Sequence, residues 1–197
     1  MTTVTTAAMT TSRRNMWIGI AAVAFAQAAV LGWMIWQRAH LLSTGREIVL
    51  EVIPVDPRSL FRGDYVALGY DISRVPTTQG PPPLRRGSVI YVTLQKTGER
   101  WHPLGSSATK PENLPPDQVF IKGRVDYASA PTPLATGQAT VHYGIEEFFV
   151  PEGTGQELEK LVGQKKLDAL IAIDDAGNAG IKGLMVEGKR VYEEPLL

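Results

Sequence analysis

The chain has 197 residues, no cysteine and a formal net charge of zero. Zero net charge excludes a strongly basic nucleic-acid binder as the default interpretation. The lack of cysteine excludes disulfides, thiolate metal sites and cysteine nucleophiles. The three histidines, His40, His102 and His142, do not show the spacing of metal ligands. We therefore predict no metal and no cofactor for a chain long enough for one domain and an appendage.

The charges are unevenly distributed along the chain. Every acidic residue lies at or after Glu47, whereas Arg13, Arg14, Arg38 and Arg46 precede it. From Glu47 onward the chain carries 16 basic and 20 acidic residues. The sequence therefore combines a basic front with a mildly acidic body.

The front of the chain contains a long uncharged segment, Met16–Trp36, in which Gln27 is the one strongly polar residue. As a helix it reaches about 30 Å, the thickness of the hydrocarbon core of a bilayer. Trp17, Trp33 and Trp36 lie near its ends, where indole rings favour the membrane interface. A buried helix of a soluble protein is the alternative, but such helices are usually shorter and need a larger core. We predict a transmembrane helix that contacts membrane lipid.

The apolar segment is long for a signal peptide, and no small-x-small cleavage site follows it. We therefore expect an uncleaved signal-anchor. Arg13 and Arg14 flank its start and favour a cytoplasmic N-terminus, which would export the body. The predicted organisation is a cytoplasmic tail at 1–15, a transmembrane helix at 16–36, a linker at 37–46 and an extracytoplasmic domain at 47–197.

The body is rich in segments that alternate between apolar and polar residues, as half-buried strands do. A first strand is predicted at 49–55, followed by a turn at 56–59. After Asp64 a single strand is predicted, because Val66, Leu68, Tyr70 and Ile72 share one face. A proline-rich loop is expected at 75–86.

The rest of the body contains further strand patterns and one helix pattern. Gly123 interrupts an alternating segment and is a candidate β-bulge. Thr154 and Glu157 form a capping-box pattern ahead of a short helix. Further strands are predicted at 88–94, from 101, and at 119–127, 138–150, 167–173, 179–186 and 190–192. The predicted fold class is α+β: one N-terminal transmembrane helix followed by a mostly antiparallel β domain with one short helix.

Carboxylates are the main candidates for catalytic chemistry. A carboxyl group of raised pKa beside an ionised one can hydrolyse a substrate. The competing interpretation is that these residues cap turns or favour a helix N-terminus. The candidates are Asp56, Asp64, Glu146, Glu147, Glu152 and Glu159.

A resemblance to a known family rests on residues Gly63-Asp64-Tyr65, Leu68 and Tyr70. They fit the string Gly-Asp-Tyr-x-x-Leu-x-Tyr, and the chain resembles the GDYXXLXY family of bacterial membrane-anchored proteins. The segments 54–58 and 143–153 are similar to further parts of that family. The resemblance implies one N-terminal membrane helix with one domain beyond it. We expect this helix in the bacterial inner membrane, with the C-terminal domain periplasmic or extracytoplasmic. It implies no established activity, and it suggests a multi-pass membrane protein as partner.

From these observations we expect a non-enzymatic subunit or accessory of a membrane protein complex, with no nucleic acid as partner. The alternatives are a membrane-tethered hydrolase that uses Asp64 with Glu146 or Glu152, and a peptide-binding β module. We expect Asp64, Tyr65 and the segment 143–153 to lie together as a recognition surface or a fixed polar junction. The candidate binding or motif residues are Asp56, Arg58, Arg62, Gly63, Asp64, Tyr65, Leu68, Tyr70, Tyr143, Glu146, Phe149, Glu152 and Gly153.

Overall fold

The structure is a computed structural model, which describes residues 7–54, 65–77, 84–129, 137–150 and 155–193. The chain divides into two compact units, Met1–His40 and Leu41–Leu197. The helices are α1 (Ala7–Thr44) and α2 (Gly155–Gly163). The strands are β1 (Arg46–Ile53), β2 (Tyr65–Ala67), β3 (Gly69–Tyr70), β4 (Arg74–Thr77), β5 (Val89–Thr97), β6 (Arg100–Ser107), β7 (Gln118–Ala128), β8 (Gly137–His142), β9 (Glu147–Phe149), β10 (Leu167–Ile173), β11 (Ala179–Val186) and β12 (Lys189–Glu193).

Helix α1 is apolar over a long stretch, and every side chain from Arg13 to Arg38 is exposed. Within the described residues it is the one helix long and apolar enough to cross a membrane. The helix continues to Thr44, so most of the segment predicted as a linker is helical. The predicted domain boundaries remain predictions.

The body is built from three antiparallel sheets around one core. One five-stranded sheet has the order β12-β11-β10-β1-β3, and the other has the order β4-β8-β7-β5-β6. Strands β2 and β9 form a separate pair. Buried apolar side chains from all three sheets and from α2 form one cluster. The α+β prediction is therefore confirmed, and the short helix α2 contributes the buried residues Leu158 and Val162 to the core.

The segment 65–77 contributes to all three sheets. Within thirteen residues it pairs with β9 through β2, with β1 through β3, and with β8 through β4. A short 3₁₀ turn, Asp71–Ser73, lies between β3 and β4. The prediction of one continuous strand after Asp64 is therefore wrong, because the segment is divided into three short strands. The predicted buried face is correct, because Val66, Leu68, Tyr70 and Ile72 are all at most 2% exposed.

Three further predictions need correction. The segment 138–150 is not one strand, because the residues between β8 and β9 turn back toward β2. The register shift in β7 lies between Val125 and Tyr127, so Gly123 is not the bulge. The loop expected at 75–86 begins later, because Arg74–Thr77 forms β4. The predicted turn at 56–59 and the cap at Thr154 lie outside the described residues.

A charged cluster connects the two five-stranded sheets. Arg100, at the start of β6, lies 3.1 Å from Glu51 Oε2 of β1 and 3.0 Å from Asp168 Oδ1 of β10. Burial raises the pKa of Asp168, and the neighbouring Arg100 opposes that rise. Arg100 is therefore needed to keep a buried carboxylate charged between the sheets.

We expect Arg100→Met to destabilise the domain by about 2 kcal/mol at pH 7.5, because Asp168 then stays buried without its cation. The value is below that of a fully buried pair, since 35% of the Arg100 side chain is exposed. The melting midpoint of the full-length protein in uncharged detergent should fall by about 4–8 °C.

The deficit of Arg100→Met should shrink as the pH falls toward 5. A carboxyl group whose folded pKa is raised disfavours the fold above that pKa and stops doing so once it is protonated. Arg85→Met removes an exposed arginine and is the matched control. An equal deficit at both pH values, or an equal effect of the control, would contradict this role for Asp168.

Candidate functional site

The candidate site is the junction between the motif segment and the segment that follows β8. Strand β2 pairs with β9, with Tyr65 opposite Phe149 and Val66 opposite Phe148. The pairing continues where the backbone N–H of Leu68 donates to the carbonyl of Glu146 at 2.8 Å. The structure thus brings together the described parts of the two blocks that the sequence singled out.

Two buried tyrosines hold this junction by a reciprocal exchange of hydrogen bonds. The hydroxyl of Tyr70 donates to the carbonyl of Ile145 at 2.7 Å. The hydroxyl of Tyr143 donates to the carbonyl of Ile72, also at 2.7 Å. Each segment therefore supplies one tyrosine and one backbone acceptor to the other. We call this arrangement the tyrosine exchange.

The environment of the two hydroxyls keeps them protonated. Burial raises the pKa of Tyr70 far above its usual value, and the Glu146 carboxylate adds to the rise. Burial likewise raises the pKa of Tyr143, with smaller contributions from Glu146 and Asp71. Both phenols remain hydrogen-bond donors throughout the physiological pH range, so the tyrosine exchange does not titrate there.

Glu146 organises the turn between β8 and β9. Its Oε1 accepts from the backbone N–H of Tyr143 at 2.6 Å, and its Oε2 accepts from that of Gly144 at 2.9 Å. His142 Nδ1 lies 2.5 Å from the same Oε2. Gly144 has a φ of 81°, which favours glycine. Both carboxylate oxygens of Glu146 are thus occupied by donors of the turn itself.

Gly123 makes room for the ring of Tyr143. A Cβ atom at this position would come within 2.8 Å of Tyr143 Cε1 and would overlap Val141. The glycine in β7 is therefore explained by the close approach of two side chains from the adjacent segment, those of Val141 and Tyr143. The sequence pattern marked this position but assigned it to a bulge, because its packing partner lies twenty residues away.

A second polar contact flanks the tyrosine exchange. Asp71 Oδ2, in the 3₁₀ turn, lies 3.1 Å from His102 Nδ1 of β6. The other oxygen, Asp71 Oδ1, is buried without a hydrogen-bond partner among the described residues. The described part of the chain holds no group of three or more His, Asp or Glu side chains placed to bind a metal.

The structure assigns different surroundings to the predicted site residues. Leu68 is a core residue, whereas the side chain of Phe149 is 70% exposed. Tyr65 contributes its backbone to β2. Gly123, Ile72 and Ile145 were not predicted as part of the site, and the two carbonyl acceptors have no side-chain signature at all. Seven predicted residues lie outside the described ranges: Asp56, Arg58, Arg62, Gly63, Asp64, Glu152 and Gly153.

We expect Tyr70→Phe and Tyr143→Phe each to destabilise the domain by about 1–2 kcal/mol, because each leaves a buried carbonyl without its donor. The measurement is the melting midpoint of the full-length protein in uncharged detergent. Tyr127→Phe is the matched control, since that side chain is 65% exposed. A midpoint unchanged in both core variants would show that the tyrosine exchange contributes little.

No curated protein and no solved structure matches the chain. The model of the family described as GDYXXLXY protein matches residues 27–184, which is most of the chain and includes both segments of the junction. The chain therefore belongs to the GDYXXLXY family.

Proposed function

We propose that this protein is a single-pass, membrane-anchored envelope protein of bacteria. Its β domain lies outside the cytoplasm and works as a non-enzymatic subunit or accessory of a membrane protein complex. The observation that carries the proposal is α1, a helix of membrane-spanning length whose apolar side chains are exposed on all sides.

The composition of α1 supports insertion in a bilayer. Twelve large apolar side chains between Met16 and Trp36 are each more than half exposed in the chain. Leaving this surface in water is unfavourable by roughly 25 cal/mol for each Å² of apolar area, and a bilayer removes that cost. Trp33 and Trp36 lie 5.1 Å apart, and Trp36 stacks on His40 at 5.2 Å. Such amphipathic rings suit the membrane interface at one end of the helix.

The arrangement of the junction favours a structural role over catalysis. Tyr70 and Tyr143 bond to backbone carbonyls, and Glu146 bonds to backbone N–H groups. In the alternative, a hydrolase, Glu146 would act as an acid or base beside Asp64. Glu146 would then have to release the turn that it holds, which would disturb the core behind it. We therefore assign the motif to building the domain.

A peptide-binding β module would need an open sheet edge. Strand β12 lies at the edge of the first five-stranded sheet. Three of its five residues are charged: Lys189, Arg190 and Glu193. Charged side chains on an edge strand disfavour the addition of another strand. This observation favours the subunit proposal over the peptide-binding one at that edge.

The anchor and its orientation can be tested with single cysteines, because the natural chain has none. Ala108→Cys places a thiol at an exposed position of the β domain, and Thr3→Cys places one in the N-terminal tail. In intact spheroplasts a membrane-impermeant maleimide should label Ala108→Cys. It should label Thr3→Cys only after the membrane is permeabilised. The reverse pattern would overturn the orientation, and extraction by alkaline carbonate would overturn the anchor.

The partner can be tested with tagged full-length protein extracted from its own membranes in mild detergent. We expect a stoichiometric multi-pass protein to copurify, as identified by mass spectrometry. Asp64→Ala should lose this partner if the motif forms part of the contact, while keeping its melting midpoint. Glu112→Ala removes an exposed loop carboxylate and is the matched control. Absence of any stoichiometric partner from the unmodified protein would contradict the subunit proposal.

A further inference from the structure

A cleft of about 660 Å³ lies in the β domain between β7, the end of β8 and the turn that follows β10. Three cationic side chains line it, Arg86, Lys122 and Arg124, and the imidazole of His142 lies beside them. Among the described residues that line it, Asp126 carries the one carboxylate. This concentration of positive charge occurs in a body whose acidic residues outnumber its basic ones.

The positions of Lys122 and Arg124 in the cleft follow from the geometry of the sheet. Lys122 and Arg124 are two residues apart on β7, so both point to the outer face while Gly123 faces the core. Arg124 lies directly opposite His142 of β8. The three side chains are thus placed side by side at the cleft by backbone pairing.

The ion pairs of the domain leave these two cations uncompensated. Arg86 lies 3.2 Å from Asp126, which neutralises the carboxylate of the cleft. The nearby Glu146 is occupied by His142 and by two backbone N–H groups. Within the described residues neither Lys122 nor Arg124 has a carboxylate within salt-bridge distance. The cleft therefore carries an excess of positive charge that an anion would offset.

We propose that this cleft binds a phosphate group, with Lys122 and Arg124 as its ligands and His142 as the adjoining wall. Arginine and lysine are the side chains that most often bind phosphate, the first through a planar fork and the second as a point charge. The cleft is larger than one phosphate, so the group belongs to a larger molecule. That molecule is a soluble phosphate ester or an anionic lipid headgroup, and the chemistry of recognition is the same for both.

The test uses the full-length protein in micelles of an uncharged detergent, at fixed ionic strength, with isothermal titration calorimetry. One arm titrates inorganic pyrophosphate as the soluble probe. The other arm titrates dihexanoyl phosphatidylglycerol, with dihexanoyl phosphatidylcholine as its counterpart of zero net charge. Saturable binding of one molecule of either pyrophosphate or phosphatidylglycerol per protein supports the proposal. Binding of pyrophosphate alone identifies a soluble ligand, and binding of the glycerol lipid alone identifies a headgroup.

The variants separate a specific site from general attraction. Lys122→Gln with Arg124→Gln should weaken binding by about a hundredfold, since two charge-assisted contacts are lost. Lys96→Gln with Lys189→Gln removes the same charge from exposed positions outside the cleft and should leave binding unchanged. If the first pair impairs folding, Arg124→Gln alone, at an exposed position, should still weaken binding about tenfold. Equal weakening in both double variants, or no binding of either anionic probe, would overturn the proposal.

Discussion

The two hydroxyl-to-carbonyl bonds of the tyrosine exchange are the constraint on which the β domain depends. The segment 65–77 changes sheet twice, and at each change its backbone leaves the ladder that would satisfy its polar groups. The carbonyl of Ile72 lies at such a change, and the carbonyl of Ile145 lies in the turn that faces it. A buried carbonyl without a donor costs about 1–3 kcal/mol. A tyrosine in each segment removes this cost for the other, so the two segments stabilise each other.

This constraint gives a physical meaning to the string that names the family. Leu68 fills the core and uses its backbone N–H to continue the pairing with β9. Tyr70 combines a ring buried in the core with a hydroxyl that reaches an acceptor seventy-five residues away. Phenylalanine would fill the same space without the bond. The described part of the string thus specifies how three sheets are joined, which is a structural requirement.

The sequence predicted what depends on local pattern. The apolar length of α1, the presence of the short helix α2 and the alternating burial of Val66, Leu68, Tyr70 and Ile72 are all set by neighbouring residues. Alternation reports which side faces the core but not which strand is the partner. The changes of sheet therefore had no local signal. Gly123 was recognised as an interruption, but its cause is the packing of Val141 and Tyr143 against it, which only the fold brings about.

The turn after β8 connects the interior of the domain to its basic cleft. On its inner side Tyr143 completes the tyrosine exchange, and on its outer side His142 and Gly144 form part of the cleft wall. Glu146 fixes the turn between them by bonds to the backbone. Because Arg124 is paired with His142 across β7 and β8, its position follows from the same bonds. The backbone that carries these cations is therefore paired before any anion arrives, so binding requires little further ordering of the backbone, which favours affinity.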